Sequence, residues 1–119
     1  MGSPMRRGDV HMIDLEPVRG SEANKVRPAV IVSNNGANQS VESNRRGVVT
    51  VVPLTSNTSR VLTFQVFLGA EECRLPKDSK AQCEQVRAVT LERVRQRVGS
   101  VPRRRMAEID VALRRHLAL

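Results

Sequence analysis

The chain has no tryptophan and no tyrosine, and Phe64 and Phe67 are its only aromatic residues. Proteins that grip single strands without sequence preference usually stack bases on aromatic rings. Their near-absence argues against a generic single-strand binder. A nucleic acid held here must rest on arginine planes, phenylalanine, His11, or backbone and polar contacts. Cysteine is scarce too. Cys73 and Cys83 are too few for the disulfide framework of a small secreted domain, so reduced thiols in a cytosolic, cytoplasmic protein are expected. No apolar run approaches the ~18 residues that span a bilayer, and no signal-peptide core is present. The two histidines and two cysteines fall at no zinc-ligand spacing and the acids are scattered, so neither metal nor cofactor is expected. A glycine-rich phosphate loop and a Ser/His/Asp triad are also missing.

Positive charge is what the chain has in excess. Against 12 acidic side chains stand 20 Lys and Arg, a formal net charge of +8 with a sequence pI near 11.2. That balance points to a polyanionic partner without separating RNA from DNA, an anionic membrane or an acidic protein tail. At 119 residues the chain suffices for one domain with a modest core. Met1-Gly2-Ser3-Pro4 reads as a cloning remnant, leaving residues 5–119 as that domain.

Periodicity predicts a β-rich chain closed by a helix. Residues 8–15 alternate as a half-buried strand, and 16–26 form a loop rich in turn formers. Pro28 forces Arg27 into an extended conformation ahead of the β-branched run Val30-Ile31-Val32. Residues 35–47 read as a second long polar loop ending in Arg45-Arg46. A third strand covers 48–54, with Pro53 placing its end at an edge or bulge. A fourth covers 64–68 and a fifth 80–89; a helical turn at 90–94 and a short last strand at 96–99 follow. Met106, Ile109, Leu113 and Leu117 then recur at helical spacing, with Pro102 near the helix start. Several short strands and one helix suggest a twisted sheet or small barrel with the helix packed on it.

Two strand ends carry the chemistry. Lys25-Val26-Arg27-Pro28 opens one strand on a permanent cation, and Pro53-Leu54-Thr55-Ser56-Asn57 closes another on a hydroxyl. Rigid strand ends can hold such groups on a phosphate. Taken alone, an Arg before Pro is most often a surface residue, and Thr-Ser-Asn is ordinary turn chemistry. The Arg103-Arg104-Arg105 run lies in a helix's first turn, where the macrodipole disfavours cations. It is either a solvated surface or a polyanion contact. His116, near the end of the helix, offsets the C-terminal dipole.

With these segments in view, the chain closely resembles the MazF/PemK family, the toxins of toxin–antitoxin pairs. The match rests on Arg7-Gly8-Asp9-Val10, Gly20-Ser21-Glu22 and Arg27-Pro28-Ala29-Val30-Ile31-Val32-Ser33-Asn34. It continues through Val51-Val52-Pro53-Leu54-Thr55-Ser56-Asn57, Ala81-Gln82-Cys83-Glu84-Gln85-Val86-Arg87 and Ile109-Asp110-Val111-Ala112-Leu113. Its Val-Arg-Pro and Pro-Leu-Thr-Ser-Asn segments are most similar to the mycobacterial branch. Family members often carry an aromatic where this chain has His11.

The resemblance implies an SH3-like β-barrel with a C-terminal helix, assembled as a homodimer. It implies a metal-independent endoribonuclease that cuts RNA at a short sequence, leaving 2′,3′-cyclic phosphate and 5′-hydroxyl ends. The implied partners are single-stranded RNA and a small MazE-like antitoxin whose acidic, flexible tail occupies the RNA site. Attack by a ribose 2′-OH needs the phosphate charge offset, the attacking hydroxyl deprotonated and the leaving oxygen protonated. Arg27 suits the first task because its planar fork grips phosphate oxygens and stays charged, which also makes it a poor base. Thr55 would donate to a non-bridging oxygen or orient the 2′-OH. Glu22, His11 or no discrete group would serve as base. RNA-binding candidates are Ser21, Ser56, Asn57, Gln85, Arg45 and Arg46. Gln82, Glu84 and Gln85 suit base edges or, equally, cross-strand polar pairs. Two other functions compete: a gyrase poison like the related CcdB toxins, and a non-catalytic RNA-binding barrel. The first is disfavoured by the lack of any Trp near the terminal His116-Leu117-Ala118-Leu119. The second leaves the two strand-end signatures unexplained.

Overall fold

A computed structural model describes residues 4–15 and 26–119. Seven strands run β1 (Asp9–Asp14), β2 (Val26–Ile31), β3 (Val48–Thr55), β4 (Gln65–Leu68), β5 (Ser79–Gln82), β6 (Arg87–Thr90) and β7 (Val94–Ser100). Helices α1 (Asn35–Asn44), α2 (Ala70–Cys73) and α3 (Arg103–Leu117) fall between and after them. The sheet order is β4-β5-β3-β2-β1-β7, with β6 also paired to β3, and every pairing is antiparallel. This is the β-rich fold with a C-terminal helix that the sequence predicts, although the sheet does not close into a barrel among the described residues.

Both faces of the central strands are buried, which is why their sequences read as continuous apolar runs rather than alternations. Val10, Val30, Val52 and Leu54 enter one core with Met106, Ile109 and Ala112 of α3. Ile13, Ala29, Ile31, Val49 and Val51 enter the other with Met5 and Val41. Cys73 and Cys83 are free thiols in the first core. Burial pushes their pKa values up to about 11 and about 12, helped by Glu72 and Glu84 respectively.

Pro53 sits where β3 changes partner. Val48 to Val51 pair with β6, and Leu54 and Thr55 with β5. Thr50 accepts from the Val32 N–H at 2.8 Å. Ladder alternation therefore turns position 53's nitrogen away from β2, into the gap between the two partners. Its missing donor costs nothing there, so proline fits a central strand rather than the edge or bulge expected. The same exchange splits the expected strand at 80–89 into β5, a 3₁₀ turn (Cys83–Gln85) and β6.

The polar loop expected at 35–47 is a helix over most of its length. Asn34 caps it, accepting from the Ala37 N–H at 2.8 Å. Its buried face consists of Val41 and a fully buried Asn38. Asn38 is satisfied at both ends of its amide: it donates to the Ser33 carbonyl at 2.9 Å and accepts from the Ser33 hydroxyl at 2.5 Å. An asparagine standing in for an apolar residue removes the helical periodicity that would have revealed α1.

The Arg7-Gly8-Asp9 segment is structural. Arg7 pairs with Asp110 of α3 at 2.5 Å and donates to the Val32 carbonyl at 2.8 Å, tying strand entry to helix. Asp9 accepts from the Arg6 N–H at 2.9 Å and lies 3.8 Å from Arg97.

Candidate active site

Strand register brings the two strand-end signatures together. β2 and β3 pair Ala29 with Pro53, Val30 with Val52 and Ile31 with Val51. Carried two residues further along both strands, that register sets Arg27 beside Thr55. Both side chains line one cleft of about 280 Å³. Its floor is apolar, made by Met12, Pro28, Leu54, Leu75 and Val98, and its polar groups include Arg27, Thr55, Ser56 and Lys77.

Each of these groups is placed by local structure. Pro28 follows Arg27 and holds it extended, while Ile13 of β1 flanks it in the ladder on the other side. The Arg27 guanidinium is exposed and carries no hydrogen bond or ion pair among the described residues. Thr55 Oγ1 accepts from the Asn57 N–H at 3.3 Å, which leaves its own proton to donate elsewhere. Lys77 stands in the turn before β5, where the Ser79 hydroxyl donates to its carbonyl at 3.2 Å. Among the described residues, two cations and no carboxylate line the cleft. Those cationic donors suit a phosphate. No group of three His, Cys, Asp or Glu side chains able to hold a metal occurs among the described residues.

The other predicted residues are distributed differently. Ser21 and Glu22 lie outside the described residues. Asn57 is exposed at the cleft margin, where its side-chain oxygen accepts from the Ser59 N–H and hydroxyl at 3.3 and 2.9 Å. Gln85 is exposed on the 3₁₀ turn and does not line the cleft. Gln82 faces Gln65 across the ladder, and Gln65 donates to Glu84 at 3.1 Å, so those two serve as cross-strand polar groups. Arg45 and Arg46 border a separate basin with Leu91 and Glu92, beyond the opposite end of β3. At ~3.3 Å per residue, the strand alone separates them from Thr55 by about 23 Å.

His11 is not part of the cleft lining. Its Nδ1 lies 2.9 Å from the Arg95 carbonyl, which can only accept, so Nδ1 carries the proton. Nε2 is buried without a partner among the described residues. The arginine run on α3 is largely spoken for: Arg104 and Arg105 each pair with Glu72 at 2.9 Å, and Arg105 also pairs with Glu108 at 3.1 Å. Arg105 further sits 5.9 Å from the Phe67 ring centroid.

Sequence reasoning missed Lys77. It is a lone lysine in a Pro-Lys-Asp-Ser turn, and only the pairing of β5 with the end of β3 brings it to the cleft. A basic residue in the turn before a strand was the available signal, and it is a weak one.

A strand-end arginine and threonine thus share one cleft over an apolar floor; the comparisons with known proteins give the class of the chain. Across residues 6–117 the chain matches the PemK-like, MazF-like toxins of type II toxin–antitoxin systems, and it belongs to that family. Endoribonuclease MazF9 of Mycobacterium tuberculosis is 50% identical over 115 residues, 97% of this chain and 98% of that protein. A solved mycobacterial endoribonuclease in complex with its cognate antitoxin matches with a TM-score of 0.74 at 26% identity, covering 98% of this chain and 97% of its own. MazF of Deinococcus radiodurans gives a TM-score of 0.77 at 21% identity, over 99% of this chain and all (100%) of that one, a likeness of fold alone.

Proposed function

We propose that this MazF-type endoribonuclease toxin cuts single-stranded RNA at a short sequence, without a metal ion, leaving a 2′,3′-cyclic phosphate and a 5′-hydroxyl. The shared cleft of Arg27 and Thr55 carries this reading. In it, the scissile phosphate sits at the mouth, where the Arg27 fork takes two of its oxygens. As the 2′-OH attacks, negative charge grows on the phosphorane, and a fixed guanidinium stabilises it more than the ground state. The Thr55 hydroxyl, its lone pair already engaged by Asn57, donates to a non-bridging oxygen. Arg27 also stands where a proton could pass to the leaving 5′-oxygen. Lys77 adds a second cation on the cleft wall and fixes the strand's backbone beside the reacting group.

The apolar floor accounts for recognition without aromatic rings. Met12, Pro28, Leu75 and Val98 offer flat aliphatic surface to a base face, while Ser56 and Asn57 offer polar groups to its edge. The base that takes the 2′-OH proton is Glu22 or none. Against His11 in that role stand its absence from the lining among the described residues and the commitment of its Nδ1 to the Arg95 carbonyl. Toxicity follows from cutting RNA and stopping translation and growth. A homodimer and a MazE-like antitoxin with an acidic tail complete the system: an acidic peptide would compete with RNA for the Arg27 and Lys77 charges. No observation favours the gyrase-poison or non-catalytic readings. The test is incubation of the purified protein with RNA in excess EDTA and identification of the ends. Cyclic-phosphate and 5′-hydroxyl ends support the proposal, and strict magnesium dependence would end it.

A further inference from the structure

We propose that Lys80 is a positioning residue that clamps the loop following Thr55 and so sets which RNA sequences the cleft accepts; the proposal rests on the cleavage reading above. Residues 56–64 run between β3 and β4 without ladder pairing, and they begin at Ser56 inside the cleft. Ser59, Arg60 and Val61 are exposed along the loop. Its two ends are held locally. Asn57 and Ser59 close one turn, and Leu62 and Gln65 exchange bonds of 2.9 and 3.1 Å at the other end.

The middle of the loop has a tie of a different kind. Lys80 Nζ donates to the Arg60 carbonyl at 2.5 Å, across 20 residues of sequence. Lys80 is also the direct cross-strand partner of Thr55 in the β3–β5 ladder. One strand position therefore neighbours Thr55 in the ladder and ties the loop that follows it. Because the contact is to main chain, it sets the loop's path and leaves the Arg60 side chain free for RNA. Loops on rigid scaffolds carry recognition, and base edges of single-stranded RNA are read by such exposed polar and backbone groups. A clamped loop offers them in one arrangement. A released loop offers several, and each RNA must then order it on binding.

The ammonium is engaged with a carbonyl and does not line the cleft, so its loss should change discrimination rather than chemistry. Two variants test this, Lys80→Met, which keeps the stem and removes the charge, and Lys80→Arg, which keeps a donor. The first readout needs no RNA. The Arg60 carbonyl is the group trypsin attacks when it cuts after Arg60, so native Lys80→Met should be nicked there about 5-fold faster than wild type. Lys80→Arg should be protected like wild type, and equal nicking of all three proteins would overturn the clamp. The second readout is the ratio of kcat/KM for the preferred sequence to that for a single-base variant. In Lys80→Met it should fall about 10-fold through KM, with kcat on the preferred sequence within about 2-fold, and Lys80→Arg should restore it. An unchanged ratio, or an equal loss of kcat on every sequence, would overturn the specificity role. Failure of the wild-type protein to cut any RNA would overturn the cleavage reading and the specificity role together, while nicking still reports on the clamp alone.

Discussion

Arg27 of β2 and Thr55 of β3 stand on neighbouring strands at one cleft, two residues beyond the Ala29–Pro53 pair. Neither side chain belongs to either hydrophobic core. Arg27→Ala and Thr55→Ala should therefore leave melting temperature and dimer unchanged while lowering cleavage by about 10²–10³-fold each. Arg27→Lys should rescue only part, since an ammonium cannot make the bidentate contact. Single-turnover cleavage of a labelled RNA checks all three.

Glu72 is the fold's acid-sensitive joint. The Gly69 N–H, donating at 2.8 Å, does most to lower its pKa below the ordinary 4.5; burial opposes, and Arg105 and Arg104 assist. A carboxyl whose folded pKa is lowered stabilises the fold fully above its unfolded value. That contribution is lost as pH falls through the folded value. Stability should thus decline below about pH 4.5. Glu72→Gln should remove this part of the pH dependence and cost about 1 kcal/mol at neutral pH. Denaturant titrations across acid pH measure both.

Salt dependence separates the arginines and lysines by their partners. Arg104 already pairs with Glu72, whereas the Lys77 ammonium lines the cleft with no hydrogen bond or ion pair among the described residues. Lys77→Met should flatten the slope of log affinity against log salt by about 0.7, the value for one phosphate on a single strand. Arg104→Met should leave the slope as it is. Binding of a non-cleavable RNA analogue at several salt concentrations gives both slopes.

Gly99 lets β7 pass close to the turn after α2. A Cβ there would meet the Cys73 carbonyl at 2.5 Å and a Leu75 methyl at 2.9 Å. The first is backbone and cannot swing aside, so Gly99→Ala should destabilise the fold by about 1–3 kcal/mol. Leu75 lines the cleft, so KM should rise as well. Thermal melting and steady-state kinetics report the two effects.

Residue patterns revealed the elements whose burial is apolar. β1, β3 and α3 are legible because valines, isoleucines and Met106 and Ile109 mark their buried faces. In the helix stripe Met106 and Ile109 are buried and Leu113 packs against the core, but Ala112 also belongs to the buried face and Leu117 is 49% exposed. α1 was hidden by Asn38, whose burial depends on a hydrogen bond to Ser33 that no local pattern announces. Pro53 looked like an edge marker because nothing local tells that β3 trades one partner for another. At the site, Arg27 and Thr55 could be named from their strand-end positions, yet their adjacency depends on the β2–β3 register. Lys77 reaches the cleft and Lys80 the Arg60 loop only through the pairing of β5, and Arg104 and Arg105 look free until α2 supplies Glu72. Long-range pairing, not local propensity, is what those residues needed.

Convergence of Arg27 and Thr55 upon a single phosphate is tested most directly by a double-mutant cycle on the single-turnover rate. Two groups acting on one transition state are strongly non-additive, so Arg27→Ala/Thr55→Ala should cleave about as slowly as the worse single variant. Independent losses that multiply, or a wild-type rate in either single variant, would contradict a shared site.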